Sequence, residues 1–193
     1  MKMLVGLTLL VFFHSVSASG KAPGADVGHK AMLKKQEKIK ASFAKLKPMT
    51  RKIQDDSKFT LYEGIPRHGG SLEELGSEFN GKSIIKRFGH AFYSTANEVE
   101  TEDAKKLKTL VKAPQSFTKF RGYKLCGGFH PDFSLVFGTG NNAVELHVCF
   151  GCHELKAFRS GVEVYCDIPD STYATLKQLL QKYRKQGVEP AAR

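Results

Sequence analysis

The chain predicts an α+β fold: an antiparallel sheet of short strands with flanking helices, the C-terminal helix packed on the sheet. Three observations carry this. Four β-rich segments follow one another between Phe133 and Tyr165, separated by turn residues. Two stretches, Glu102 to Lys112 and Thr172 to Gln186, place apolar residues at helical spacing. No repeat or low-complexity tract interrupts the order.

The N-terminus comes first. Lys2 precedes an apolar run from Leu4 to Phe13, and Val16-Ser17-Ala18 supplies small residues where a signal peptidase cuts. This predicts a signal peptide over residues 1–18 and a secreted or periplasmic protein. The run is about half of the roughly 20 residues a helix needs to cross a bilayer, and no later segment is longer, so no transmembrane segment is expected.

Residues 19–57 read as a basic leader, helical or disordered. Within residues 21–52 stand ten Lys/Arg and two acids, Asp26 and Glu37, a net +8. Residues 53–193 hold nineteen Lys/Arg against seventeen acids, a net +2. The formal +11 of the chain is therefore concentrated in one arm, which suits an anionic surface; no nucleic-acid partner is expected. From His29 to Lys47 the residues Met32, Leu33, Ile39, Phe43 and Leu46 form a loose helical stripe, stopped by Pro48. The stripe is thin, which favours a solvated helix or disordered leader over a membrane-binding one.

The domain is expected over residues 58–187, with a tail at 188–193. Phe59 to Glu63 alternates like a strand and ends at Gly64-Ile65-Pro66. Ser71 to Phe79 reads as a short helix with a Ser71/Glu74 capping box. Ser83 to Tyr93 is β-rich and broken near Gly89, and Thr101 caps the helix ending at Lys112. Phe133 to Phe137 and Val144 to Phe150 flank the turn cluster Gly138 to Asn142. Glu154 to Phe158 and Val162 to Tyr165 form a further hairpin around Arg159-Ser160-Gly161. Asp170 or Ser171 caps the last helix, with Gly187 beyond it.

On the second of these strands Val144, Leu146, Val148 and Phe150 share one face, and Glu145, His147 and Cys149 the other. His147 is thus expected as an exposed strand residue.

The candidate chemistry lies in the cysteines. Cys149-Phe150-Gly151-Cys152-His153 places two thiols in a tight turn, where both can reach one ion or one another. The reading preferred here is a zinc-type metal site, with Cys149 and Cys152 as ligands, Cys126 third, and His130 or His153 fourth. Thiol-disulfide exchange is the alternative, with Cys149 attacking and Cys152 resolving. The spelling Cys-x-x-Cys-His also matches c-type haem attachment, a weaker fit in a β context. Plain structural disulfides, for example Cys126 with Cys166, would account for an even cysteine count in an exported chain. In Cys126-Gly-Gly-Phe-His130-Pro-Asp132 two glycines allow close backbone approach, and pairing of the flanking strands would bring this loop near the Cys149 turn.

Leu61-Tyr-Glu-Gly-Ile-Pro66, Cys126-Gly-Gly-Phe-His-Pro-Asp132 and Cys149-Phe-Gly-Cys-His-Glu154 together resemble the signatures of a group of uncharacterised exported bacterial proteins. The likeness covers about residues 58–186. It implies that the two cysteine-bearing segments form one site, and it implies no activity. No nucleophile elbow, phosphate loop, zinc-protease helix or spaced acid pair occurs in the sequence. No catalytic residue is assigned, and the expectation leans towards a binding module rather than an enzyme.

Overall fold

A computed structural model describes residues 25–66, 83–122 and 124–185. The expected signal peptide, the helix expected at 71–79 and the expected tail at 188–193 lie outside the described residues. The elements are α1 (Ala25–Ser42), α2 (Leu46–Thr50), β1 (Phe59–Glu63), β2 (Ile84–Arg87), β3 (His90–Tyr93), α3 (Thr101–Lys112), β4 (Thr118–Lys119), β5 (Phe133–Phe137), β6 (Val144–Cys149), β7 (Glu154–Arg159), β8 (Val162–Asp167) and α4 (Asp170–Gln181). A 3-10 turn, Phe43–Lys45, joins α1 to α2. Six strands form one antiparallel sheet in the order β1-β5-β6-β7-β8-β4, and β2 pairs only with β3. The mixed α+β architecture read from the sequence is the one observed.

Register assigns every side chain to one of two faces. Leu61, Leu135, Leu146, Ala157 and Val164 lie opposite one another across five strands, all fully buried. Leu107 and Val111 of α3 and Leu176 and Leu180 of α4 belong to the same core. Full burial contributes about 1.5–3 kcal/mol for each large aliphatic side chain, so this face is the main source of stability. One residue further along, the opposite face carries the row Tyr62, Ser134, His147, Lys156 and Tyr165.

This second face is covered too, which corrects the expectation that His147 is exposed: its side chain is fully buried. Alternation gives the face a side chain points to, not whether that face meets water. Here the β2–β3 hairpin provides the cover. Its two-residue turn, Phe88-Gly89, needs positive φ at both positions and has it, at 46° and 80°. The turn holds the Phe88 ring stacked on Phe158, with centroids 4.2 Å apart.

The leader is also not a detached arm. Leu46, Met49 and Ile53 are buried in the main core, so the packed unit begins before the expected boundary at residue 58. Pro48 does not end α1; the helix stops at Ser42, and Pro48 sits in the first turn of α2, where its missing N–H has no partner to lose. α1 packs across β8, whose only outer neighbour in the sheet is β4, at Cys166 and Asp167. Ser42 Oγ accepts from the Tyr165 amide at 3.4 Å, occupying a donor on the exposed stretch of that strand.

Both later helices differ slightly from expectation. Thr101 is the first helical residue of α3 rather than its cap, a place taken by Glu100 in extended conformation. α4 ends at Gln181, five residues early, because the following chain is held elsewhere. Arg184 pairs with Asp132 at 2.7 Å, and the Lys185 amide donates to Glu63 Oε2 at 2.9 Å.

Candidate functional site

Strands β5 and β6 bring Ser134, Glu145 and His147 together on the covered face, and β2 adds Arg87. The Glu145 carboxylate accepts from Arg87 Nε at 2.7 Å and from the second guanidinium branch at 2.5 Å. It accepts from Ser134 Oγ at 2.7 Å, and His147 Nε2 lies 2.7 Å from the same oxygen, Oε1. Burial alone would raise this carboxyl, but the bonds from His147, Arg87 and Ser134 outweigh it and hold the group at about 2. Burial pulls the His147 imidazole down in spite of its bond to Glu145. A neutral ring that donates from Nε2 leaves Nδ1 as the acceptor, and Nδ1 has no hydrogen-bond partner among the described residues. Phe92 and Phe158 meet the ring edge-on, each with centroids 4.8 Å away. His90 stands 5.5 Å from it and is held at about 4, by burial and then by the neighbouring His147 and Lys156.

His90 is also the link to an open cleft of about 860 Å³ between α1, the loop after β4 and the outer half of the sheet. Five lysines line it. Lys124 donates to the Cys152 carbonyl at 2.7 Å and to Asp167 at 3.2 Å, and Lys156 pairs with Glu163 at 3.1 Å. Lys35, Lys38 and Lys45, from the basic leader, have no acidic partner among the described residues. The wall between these cations is apolar: Ile39, Val162 and the rings of Phe129 and Tyr165. Lys156 Nζ lies 5.2 Å from the centroids of both rings. At the floor the Tyr165 hydroxyl donates to Glu154 Oε2 at 2.5 Å. Burial, then this contact with a carboxylate, pushes the Tyr165 phenol up, so it remains a donor at neutral pH.

The cysteine loop forms the cleft's other rim. Cys126 is disulfide-bonded to Cys152, with Cα atoms 5.8 Å apart. The expected adjacency of the two motifs is therefore present, and Asp132 fixes it: its amide donates to the Val148 carbonyl and its Oδ2 accepts from the Phe150 amide, both at 2.7 Å. The partners differ from expectation. Cys126 does not pair with Cys166, which is free and fully buried on the apolar face of β8. Cys149 is free as well, and burial raises its thiol although backbone hydrogen bonds at His130 and Cys152 oppose this. That is the wrong direction for an attacking thiolate.

The proposed ligand set of Cys126, Cys149, Cys152, His130 and His153 does not converge. His153 points away, stacked on Tyr173 of α4 at 3.8 Å with Nδ1 3.7 Å from Asp170. Its φ of 53° turns the chain after Cys152 and sends the ring to that side. The group of ligand atoms that does converge among the described residues is Cys126, Cys152 and Glu154, all within 4.8 Å of one another. Haem attachment would need Cys149 and Cys152 both available for thioether bonds, and Cys152 is already engaged.

Arg87, Ser134, Glu145 and the lysines of α1 were not singled out from sequence as site residues. One signal was available for the first. Arg87-Phe88-Gly89-His90 is a tight hairpin turn with an aromatic at a strained position, and such a turn needs a surface to rest on. No family model matches the chain, and neither a curated protein nor a solved structure matches it.

Proposed function

We propose that this is an exported binding module whose ligand is a small anion with an apolar or aromatic body, held in the cleft between α1 and β7–β8. The observation that carries the reading is the trio Lys35, Lys38 and Lys45, three ammonium groups with no acidic partner among the described residues, beside an apolar wall. Five lysines against two carboxylates, Glu154 and Glu163, leave the lining net positive, and such a cleft concentrates negative charge. Phe129 and Tyr165 supply flat surface for a ring, and the Lys156 ammonium over both rings adds a point of attachment for an acid group. Export is supported by the expected signal peptide, and the Cys126–Cys152 bond agrees with an oxidising compartment. In this reading the basic leader serves its own domain as one wall of the site, rather than an extended anionic surface.

The test uses the mature protein, an aryl sulfonate and inorganic phosphate. The sulfonate is expected to bind at one saturable site, more tightly than phosphate, and to weaken as salt rises. A K35E/K38E/K45E variant should weaken it by about tenfold or more, as expected for losing several charge contacts of roughly 1 kcal/mol. Reversal of Lys105 and Lys106 on α3 should leave it unchanged. Equal loss in both variants, or none in either, would remove the cleft as the site.

A further inference from the structure

We infer that Cys126, Cys152 and Glu154 form a redox-gated site for a thiophilic divalent cation of the zinc type: closed while the disulfide stands, and open when it is reduced. The three side chains already have one ligand atom each within 4.8 Å of the others, so two thiolates and one carboxylate can converge on a single ion. Zinc accepts mixed sulfur and oxygen ligands in tetrahedral array and completes the set with water. Water has a route, because Cys126 and Glu154 both line the open cleft.

Three further features fit this use. First, the carboxylate is prepared. Glu154 is buried, and Tyr165 donates to its Oε2; an outer hydrogen bond of this kind orients a metal-binding carboxylate. Second, a cation stands beside the carboxylate. Lys124 Nζ lies 3.6 Å from Glu154 Oε1 and 3.2 Å from Asp167, and with a divalent ion it offsets most of the negative charge of two thiolates and a carboxylate. Third, the loop can give. Opening the sulfurs to the separation that two zinc ligands need requires Cys126 to move, and the residues that follow it, Gly127 and Gly128, hold φ of 77° and 93° without side chains to clash. Gly128 O also lies 3.3 Å from Cys152 Sγ, a ready acceptor for the reduced thiol.

The chemistry is a two-electron step followed by exchange of protons for metal. A dithiol donor reduces the disulfide; the S–S bond breaks, each sulfur takes one electron and one proton, and the donor leaves as its own disulfide. The cation then displaces the two thiol protons to solvent.

The experiment compares one protein in two states, independently of what the cleft lysines bind. The mature chain, oxidised or reduced with a phosphine and freed of reductant without air, is titrated with Co²⁺ and then Zn²⁺. Reduced protein should take up one Co²⁺ per chain, with a thiolate-to-cobalt charge-transfer band that Zn²⁺ abolishes; oxidised protein should take up none. C126S should lose the band, C149A/C166A should keep it, and E154Q should weaken binding about tenfold or more. Circular dichroism follows the fold throughout. Equal uptake in the two states, no uptake after reduction, a band that follows Cys149 or Cys166 instead, or loss of the near-ultraviolet signal on reduction would each overturn the inference.

Discussion

Two adjacent rows of the same sheet behave as different materials. The row Leu61, Leu135, Leu146, Ala157, Val164 packs by shape, with no polar side-chain atom in it. The row Tyr62, Ser134, His147, Lys156, Tyr165 lies one residue away and is organised by named polar contacts around Glu145 and Glu154. The apolar row tolerates small errors in many places, because dispersion contacts are short-ranged and interchangeable. The polar row depends on completeness. A buried carboxylate with three donors is stable, and the same carboxylate missing its main donor is a defect.

Substitutions on the two rows make that contrast measurable. The largest effect is expected from R87M, which leaves Glu145 buried without its cation and should cost about 3–5 kcal/mol. L135A on the apolar row should cost about 2–5 kcal/mol. The two separate by pH rather than size: in urea unfolding the R87M deficit should shrink as acid protonates Glu145, and the L135A deficit should stay constant. Next comes the staple. C126S/C152S releases a loop closed across a sequence separation of 26 and should lower stability by about 3 kcal/mol, with a rise in the denaturant slope as the unfolded chain loses its cross-link.

Acid titration sharpens the comparison further. Glu145 is held at about 2 against an ordinary 4.5, so its contribution is whole above 4.5 and is lost as pH falls towards 2. His90 is held at about 4 against 6.5; the unfolded chain binds that proton first, so stability falls as pH drops from 6.5 towards 4. The urea midpoint should therefore decline in two overlapping stages, and H90N should shrink the upper one without abolishing it, because burial lowers His147 as well. The smallest effect is expected at the cleft rim. K38A should alter stability by no more than about 0.5 kcal/mol, in contrast to the weakening of anion binding that the proposed cleft predicts.

How much of this was legible in the sequence follows the same division. The apolar row declared itself through alternation, since Val144, Leu146 and Val148 have only one way to share a face. α4 was legible from the spacing of Leu176, Leu180 and Tyr183, but its end was not, because Arg184 and Lys185 are drawn away by partners more than 50 residues distant. His147 could be assigned a face but not a cover, which comes from a hairpin with a sequence of its own. The disulfide partner of Cys126 was equally out of reach. Two turns meet there through the β5–β6 register, and either Cys149 or Cys152 stood close enough in sequence to be the partner. The leader's buried apolar residues, Leu46, Met49 and Ile53, are too few to mark a core by periodicity, and only their tertiary packing in the main core gives them meaning.

The contact between Ser42 and β8 has a consequence for handling and quality control. A strand with open amides invites another chain to extend the sheet, the first step towards ordered aggregates. α1 lies against that edge and takes one amide for itself. The segment doing so is studded with lysines, which offers trypsin-like proteases several points of cleavage. A preparation nicked within residues 30–40 should turn cloudy on standing while intact protein stays clear, and light scattering after limited proteolysis would reveal the difference. The leader then acts as a built-in guard against self-assembly, and its loss would be read as poor solubility rather than poor folding.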